Sequence, residues 1–338
     1  MITPFGLRHV GLLRELQGTC TELDLRSGLE TVSPLRSALR GYFLGARAGV
    51  HTYVLRTSDH TPIQRGFVQA RVQRPLVPLG ERSMPAWRVV TMAPLLDESE
   101  DAPTIWYRLL LHLCIAAGEK GVPRLFACLP ERSAAEDVFR QTTFVVYCHQ
   151  QVYWRADGQG IGRSSARVRQ ATAEDSLDVR WLWHKVTPRT VQQAEDLDNS
   201  RAAPASTEVL VSDSERHFVL RNDTEQLQGC LCMSVRPRGV WLKVIVDANA
   251  GDCAAEVLDH GLAAIEDRTR PVYCAVRDYE GGIRGLLEDR GFSLGDTYSL
   301  LVKHTTVRVR EPLRKLVPAL EKGVEVTPSV SHSEPTEG

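Results

Sequence analysis

Hydrophobic and polar positions in the second half of the chain alternate with two different periods. A period of two residues over "ARVRQATAED", "HFVLRND", "LQGCLCMSVRP" and "VWLKVIVDA" predicts strands, because successive side chains of a strand point to opposite faces. "SLDVRWLWHKV" and "CAAEVLDHGLAAIED" are predicted helices, and the second places Ala254, Leu258, Leu262 and Ile265 on one stripe. "PVYCAV", "IRGLLEDRGF" and "TYSLLVKHTTVRV" follow as strand, helix and strand. The predicted order is therefore strand, helix, three strands, helix, strand, helix, strand.

The first half repeats the later part of this order. "HTYVLRT", "RGFVQARVQR" and "AWRVVTMA" are predicted strands, "TIWYRLLLHLCIAAGEK" is a helix, and "RLFACLP", "AAEDVFRQ" and "FVVYCHQQVYW" are strand, helix and strand. Seven identities recur at an offset of 148 residues without a gap: Ala102/Ala250, Leu110/Leu258, His112/His260, Ala116/Ala264, Pro123/Pro271, Ala127/Ala275 and Phe144/Phe292. Identities in the same order as the elements predict an internal repeat.

The glycine-dense segment "ADGQGIGRSSA", residues 156–166, lies between the repeats. Together with Arg155 it has the spacing of a pyrophosphate-binding loop, Arg155-x-x-Gly158-x-Gly160. Such a loop must open a helix, whose N-terminal N–H groups face the anion, whereas "SSARVRQA" alternates like a strand. We therefore expect a linker at 156–166 between domains at 1–155 and 167–310. The remaining residues, 311–338, lack apolar periodicity and are expected to be a largely disordered tail.

Composition narrows the class of protein. A chain of 338 residues with 43% hydrophobic and 25% charged residues fits two globular domains, and its net charge of −1 favours neither nucleic acid nor a membrane as a partner. Eight cysteines occur without a C-x-x-C motif, and the histidines form no H-x-x-x-H pattern. Cys230 and Cys232 are expected to pack on one face of a strand. These features predict a cytoplasmic protein without a metal site.

Two segments carry a resemblance to a known family. "VWLKVIVDANAGDCAAEVLDHGL" resembles the cofactor strand, loop and helix of the GNAT superfamily of acyl-CoA-dependent N-acyltransferases, and "VYCAVRDYEGGIRGLLEDRGF" resembles its later helix, which ends in Gly-Phe. The resemblance extends over residues 1–155 and 165–310. It implies an α+β fold of two tandem GNAT-like domains, each a mixed sheet flanked by helices.

The resemblance also implies a cofactor, acetyl-CoA or another acyl-CoA, in the second half. The backbone of the strand that contains Val244 and Val246 would hold the thioester. The family's phosphate loop, Gln/Arg-x-x-Gly-x-Gly/Ala, matches Asn249-x-x-Asp252-x-Ala254, which also contains Gly251 and in which only Ala254 fits. A carboxylate at Asp252 would repel phosphate, but an aspartate at a helix start is also a favourable N-cap.

The first half departs further from the family's loop. The corresponding positions read Asp101-x-x-Thr104-x-Trp106, and the acidic run "DESED" begins at Asp97. An indole blocks the close backbone approach that a pyrophosphate requires, and the carboxylates repel it. We expect a solvated loop, a Trp106 side chain that packs inward, and no coenzyme A in this half.

Candidate catalytic residues are weakly indicated. At the position of the family's tyrosine acid the chain has Leu287, and Phe139 in the first half, neither of which donates a proton. Tyr298 or Tyr279 could replace that acid, and Glu280 or Glu288 could act as a general base through water. Each is equally explained as packing or as a solvated charge. The segment "SRAAPAS" around Pro204 corresponds to the family's acceptor-binding region.

Two functions remain open from the sequence. The first is transfer of an acyl group from acyl-CoA to the amine of a small molecule or peptide, with only the second half competent. The second is a non-catalytic pseudo-acetyltransferase, a binding or structural scaffold that keeps the fold without the site. Degenerate loops in both halves favour the scaffold. The expectation that a tandem member of the family retains one working half favours the enzyme.

Overall fold

One mixed β-sheet extends through both halves of the chain. The structure is a computed structural model that describes residues 1–30, 32–57, 64–73, 85–160, 162–195, 215–247 and 251–305. The elements of the first half are β1 (Ile2–Pro4), α1 (Val10–Leu16), β2 (Thr21–Glu22), α2 (Leu25–Gly28), α3 (Pro34–Leu44), β3 (Val50–Arg56), β4 (Arg65–Val72), β5 (Ala86–Ala93), α4 (Ala102–Glu119), β6 (Arg124–Pro130), α5 (Ala134–Gln141) and β7 (Val145–Arg155). Those of the second half are β8 (Val168–Gln170), α6 (Ser176–Val186), α7 (Arg189–Glu195), β9 (Glu215–Arg221), β10 (Leu227–Arg236), β11 (Gly239–Val246), α8 (Cys253–Ala263), β12 (Val272–Arg277), α9 (Gly282–Glu288) and β13 (Ser293–His304).

The strand order has an internal two-fold symmetry. Across the sheet the order is β1-β3-β4-β5-β6-β13-β7-β12-β11-β10-β9-β8, with β2 attached to β5. The order is the same from either end once each strand is replaced by its counterpart in the other half. The pairing senses agree as well, since β5·β6 and β11·β12 are parallel and the other neighbours along this path are antiparallel. The predicted repeat is therefore present in the topology.

The last strands of the two halves are exchanged. β13 pairs with β6 of the first half, β7 pairs with β12 of the second half, and β7 and β13 pair with each other at the centre. Each half therefore completes its sheet with a strand from the other, and Met1–Arg308 forms one compact unit. The sequence pattern contains no sign of this exchange, because an alternating strand fits either neighbour.

Helices cover both faces of the sheet. α4 and α5 pack over the first half with a core that includes Trp106 and Leu109, and α8 and α9 pack over the second half. The opposite face carries α1 and α3 in the first half and α6 in the second. Ala254, Leu258 and Leu262 of the predicted stripe are buried on α8, whereas Ile265, also buried, lies beyond the end of the helix at Ala263. No helix in the described ranges has the length and hydropathy needed to cross a bilayer.

The offset of 148 residues fails in one pair of equivalent strands. Ala127 of β6 packs under α4, whereas Ala275 of β12 packs on the opposite face of the sheet. The residue of β6 in the place of Ala275 is Cys128, which pairs with Leu300 of β13 as Ala275 pairs with Val152 of β7. A shift of one residue moves a side chain to the other face. The identity of Ala127 with Ala275 is therefore a coincidence of sequence.

Some elements were not predicted. α3 begins after Ser33, whose hydroxyl accepts a hydrogen bond from the Arg36 N–H at 3.3 Å, and Pro34 occupies its first turn. This pair of residues is a start signal that the sequence contains. α1, α2 and α7 are short and had no comparable signal. The predicted acceptor segment around Pro204 and the predicted tail, 311–338, lie outside the described residues.

Candidate functional site

The parallel strand pair in each half opens into a gap. In the second half β11 and β12 pair only over Val240–Leu242 and Val272–Cys274, and the rest of each strand continues without pairing to the other. In the first half β5 and β6 pair only over Ala86–Arg88 and Arg124–Phe126. Both gaps open toward the carboxyl ends of their strands. In open α/β sheets this is the edge where ligands bind.

The gap of the second half contains a buried ion pair. Lys243 of β11 is 2% exposed, and its ammonium contacts a carboxylate oxygen of Glu280 and donates to the Ala275 carbonyl at 3.4 Å. The same Glu280 oxygen accepts from the Arg277 N–H at 2.9 Å. The pair thus reaches from β11 to β12 and binds backbone groups of β12 beyond the end of strand pairing. Buried backbone groups need such partners.

Two solved structures have the same architecture. A GCN5-related N-acetyltransferase from Sphaerobacter thermophilus has 12% sequence identity and a TM-score of 0.51, with 90% of this chain and 95% of that chain covered. A tandem GNAT protein from the clavulanic acid biosynthesis pathway, a structure without AcCoA, has 15% identity and a TM-score of 0.51 over 90% and 98% of the chains. The chain has a tandem GNAT fold. No protein-family model and no curated protein matches the sequence, so the likeness is one of fold.

In this GNAT fold the gap of the first half is occupied by backbone. β2 lies along β5, with Thr21 opposite Met92 and Glu22 opposite Thr91, and the Leu23 N–H donates to the Val90 carbonyl at 2.9 Å. The other edge of β5 is already paired with β4 at the same residues. β2 therefore uses the edge of β5 that faces the gap.

Trp106 packs as the sequence predicts. Its side chain is fully buried, and its Nε1 donates to the Pro94 carbonyl at 2.7 Å. Residues 97–100 are exposed or nearly so, and helix α4 begins at Ala102. The indole fixes the start of α4 to the end of β5. The acidic loop remains in contact with solvent.

The residues predicted to bind a cofactor lie between β11 and the first turn of α8. Val244 is buried under α8, Val246 is partly buried against the same core, and Ala254 is buried in the helix. Asp252 is the N-cap of α8, and its side chain makes no capping hydrogen bond. Gly251 is exposed with φ at +56°, the left-handed region that favours glycine. Asn249 lies outside the described residues, and a cofactor role for the set stays a prediction.

The two predicted catalytic residues have different hydrogen-bond partners. Glu280 is held by Lys243, whereas Tyr298 lies on the exchanged strand β13, where its hydroxyl donates to Asp296 at 3.3 Å. Burial raises the pKa of Tyr298, and Asp296 raises it further. Among the described residues no hydrogen bond joins Glu280 to Tyr298. Catalytic roles for Glu280 and Tyr298 stay predictions.

The two alternative candidates are also engaged in side-chain contacts. The Tyr279 hydroxyl accepts from Arg277 at 3.0 Å, and Glu288 accepts from the Tyr153 hydroxyl at 3.4 Å. Burial raises the pKa of Tyr279 well above its usual range, although Arg277 lowers it. Leu287, at the position of the family's tyrosine, is fully buried under the second-half core. The roles of Tyr279 and Glu288 stay predictions.

Sequence reasoning missed a second buried ion pair beside the gap. Arg277, 6% exposed, donates to Glu195 of α7 at 2.6 Å, and the Tyr147 hydroxyl of β7 donates to the same carboxylate at 3.0 Å. The Arg277 guanidinium lies 5.9 Å from the ring centre of Trp183. The only sequence signals were single charges, Lys243 and Arg277, in or at the end of apolar strands. Such charges are buried only when they are paired.

The glycine-dense segment does not open a helix in its described part. The Gly158 N–H donates to the Arg268 carbonyl at 2.8 Å, and the next element is β8. The Arg155 guanidinium donates to the carbonyls of Arg290 and Gln159 at 2.7 and 2.8 Å. These hydrogen bonds attach the glycine-dense segment to the second half. The geometry lacks the helix N-terminus that a phosphate loop requires.

Cys230 and Cys232 pack as predicted on one face of β10. Both are buried beneath α6, in a cluster that also contains Val179 and Ile245. His217 of β9 lies directly opposite Cys232. The described residues contain no group of three or more histidine, cysteine, aspartate or glutamate side chains placed to hold a metal ion.

Proposed function

We propose that the chain is a pseudo-acetyltransferase, a tandem GNAT-fold scaffold whose function is binding rather than acyl transfer. The observation that supports this most strongly is the closure of both gaps by the chain itself. A segment of backbone fills one, and the Lys243–Glu280 pair fills the other. An extended ligand would have to displace β2 in the first half. In the second half it would have to separate the two charges.

The cost of opening the second gap supports the proposal. Lys243 and the Glu280 side chain are 2% and 10% exposed, so the pair is almost entirely removed from water. Breaking a buried pair leaves an uncompensated charge, which costs about 3 to 5 kcal/mol. That cost would reduce the binding free energy of any acyl-CoA that enters the gap. A cost of this size weakens binding by about two to four orders of magnitude.

One observation favours the competing function, transfer of an acyl group to an amine by the second half. The divergence of β11 and β12, followed directly by α8, is the place that the GNAT resemblance assigns to acyl-CoA. In that function the ion pair would have to open when the cofactor enters. The two functions therefore differ in whether acyl-CoA binds the folded protein.

A thermal-shift titration with acetyl-CoA separates them. A ligand that binds only the folded state at 100 times its Kd stabilises it by about 2.7 kcal/mol. We expect no shift of the melting temperature at millimolar acetyl-CoA, and no release of free thiol when amine acceptors are added. A saturable shift with a Kd below about 0.1 mM would contradict the scaffold proposal.

A gap-opening variant tests whether the ion pair is the obstacle. Lys243→Ala combined with Glu280→Ala removes both charges and empties the space between β11 and β12. We expect this variant to bind acetyl-CoA more tightly than the wild type. The matched control is Arg216→Ala with Glu266→Ala, a pair whose glutamate is 77% exposed. If the control gains as much affinity as the gap variant, the ion pair is not what excludes the cofactor.

A further inference from the structure

Four large apolar side chains, which we call the apolar tip, are exposed in the first half of the molecule. It consists of Leu7 and of three consecutive residues at the end of α3, Tyr42, Phe43 and Leu44, which are 52%, 48%, 70% and 52% exposed. Aromatic contacts join this tip to the core. The ring centres of buried Phe5 and Tyr42 lie 6.3 Å apart with the rings edge-on, and those of Tyr42 and Phe43 lie 5.3 Å apart. Bulky apolar side chains that are exposed on three consecutive residues indicate an interaction surface.

Five arginines lie on or beside α1 and α3, the helices next to this tip, which pack against each other. Arg8, Arg14, Arg36, Arg40 and Arg47 are all exposed. Residues 7–18 and 34–49 contain these five arginines and one acidic residue, Glu15, which is bound by Arg65 at 3.1 Å. On α3 the residues Arg36, Arg40 and Phe43 follow at helical spacing, so they share one face. We call the tip and the five arginines the arginine–aromatic surface.

The corresponding surface of the second half has a different character. There α6 exposes Leu177 and Trp181, 49% and 61%. Its charges are mixed, since Asp178 is bound by Arg221 at 2.6 Å and Glu174 is exposed. Residues 173–195 contain four acidic side chains and three basic ones, histidine aside. The concentration of positive charge around apolar side chains is thus a property of the first half, hidden by a net charge of −1 for the whole chain.

We propose that the arginine–aromatic surface binds an anionic lipid bilayer peripherally. Exposed aromatic and leucine side chains can enter the interface between headgroups and acyl chains. Arginines next to them bind lipid phosphates, and their apolar stems extend along the membrane surface. Exposed aromatic and leucine side chains beside arginines fit a bilayer interface better than nucleic acid, which would require stacking platforms along a groove.

Vesicle co-sedimentation of the full chain tests the proposal. We expect binding to vesicles with about one-third phosphatidylglycerol in phosphatidylcholine, at least tenfold weaker binding to pure phosphatidylcholine, and loss of binding in 0.5 M NaCl, because salt screens the arginines. Phe43→Ser should weaken binding at least tenfold, since the most exposed apolar side chain is removed. Arg40→Glu should weaken it by a similar factor.

The matched control lies in the second half. Trp181→Ser removes an aromatic side chain that is 61% exposed, against 70% for Phe43, from the mixed-charge surface and should leave vesicle binding unchanged. Equal losses in Phe43→Ser and Trp181→Ser would contradict the assignment of this surface. Absence of binding to anionic vesicles at 50 mM salt, including the case in which the chain binds single-stranded RNA or polyglutamate instead, would overturn it.

Discussion

The two gaps of the sheet are closed by different chemical groups. In the first half β2 supplies backbone hydrogen bonds to the free edge of β5, including the 2.9 Å bond from Leu23 to Val90. In the second half one lysine and one glutamate side chain bridge β11 and β12. The same opening in the same fold can thus be closed by main chain or by side chains. Single substitutions can remove the side-chain closure by Lys243 and Glu280, but they cannot remove the backbone of β2.

The largest expected effect comes from breaking the side-chain closure. Glu280→Ala leaves the Lys243 ammonium buried without its carboxylate and should lower the free energy of unfolding by about 3 to 5 kcal/mol. Glu266→Ala, which removes an exposed carboxylate from Arg216, should cost about 1 kcal/mol or less. Urea unfolding of the two variants measures the difference. Equal losses would show that the Lys243–Glu280 pair contributes no more to stability than an exposed pair.

The strand exchange makes a prediction of similar size. Leu301 of β13 is fully buried in the core of the first half, and Leu287 of α9 is fully buried in that of the second. Leu301→Ala and Leu287→Ala should each cost about 2 to 5 kcal/mol. Because each half contains a strand of the other, calorimetry of each variant should show one transition, shifted as a whole. Two transitions, with one of them shifted, would show that the halves unfold independently.

Acid should act on His51 of the first half and on Asp175 of the second half in different pH ranges. Burial lowers the pKa of His51, stacked on Trp87 at 3.9 Å, to about 4, and Lys120 adds to the effect. The unfolded state, with a histidine pKa near 6.5, then binds the proton more readily, so stability falls as the pH drops from about 6.5 to about 4. His51→Phe should flatten this part of the profile, whereas His304→Phe, at an exposed position, should not.

In the second half the equivalent loss begins at lower pH. Burial raises the pKa of Asp175, but hydrogen bonds from Arg169, Thr172 and Arg221 outweigh burial and hold it below its usual range. The stability that Asp175 contributes is present above its unfolded-state pKa, near 4, and is lost as the pH falls further. Asp175→Asn should reduce the acid-dependent loss below pH 4. Thermal unfolding between pH 2.5 and 8 measures both profiles, and a wild-type profile that is flat between pH 6.5 and 4 would contradict the first.

The sequence predicted most elements because their hydrophobic periods are clear. The strands "AWRVVTMA" and "RLFACLP" and the helix "AAEDVFRQ" match β5, β6 and α5 residue for residue. The exchange of β7 and β13 was not predictable, since the alternation of a strand specifies its two faces and not its neighbours. β2 was missed because two residues of backbone pairing leave no periodic pattern. Lys243 was visible as a single charge in an apolar strand, but its partner Glu280 lies 37 residues away.

Amide hydrogen exchange with and without acetyl-CoA tests the closure of both gaps most directly. The N–H groups of Leu23 and Arg277 each donate a hydrogen bond inside a closed gap, to Val90 and to Glu280. The proposal predicts that both amides are protected in the wild type and that 1 mM acetyl-CoA leaves their exchange rates unchanged. A change in the exchange of the Arg277 amide on addition of acetyl-CoA would show that the cofactor enters the gap of the second half, and would contradict the pseudo-acetyltransferase proposal.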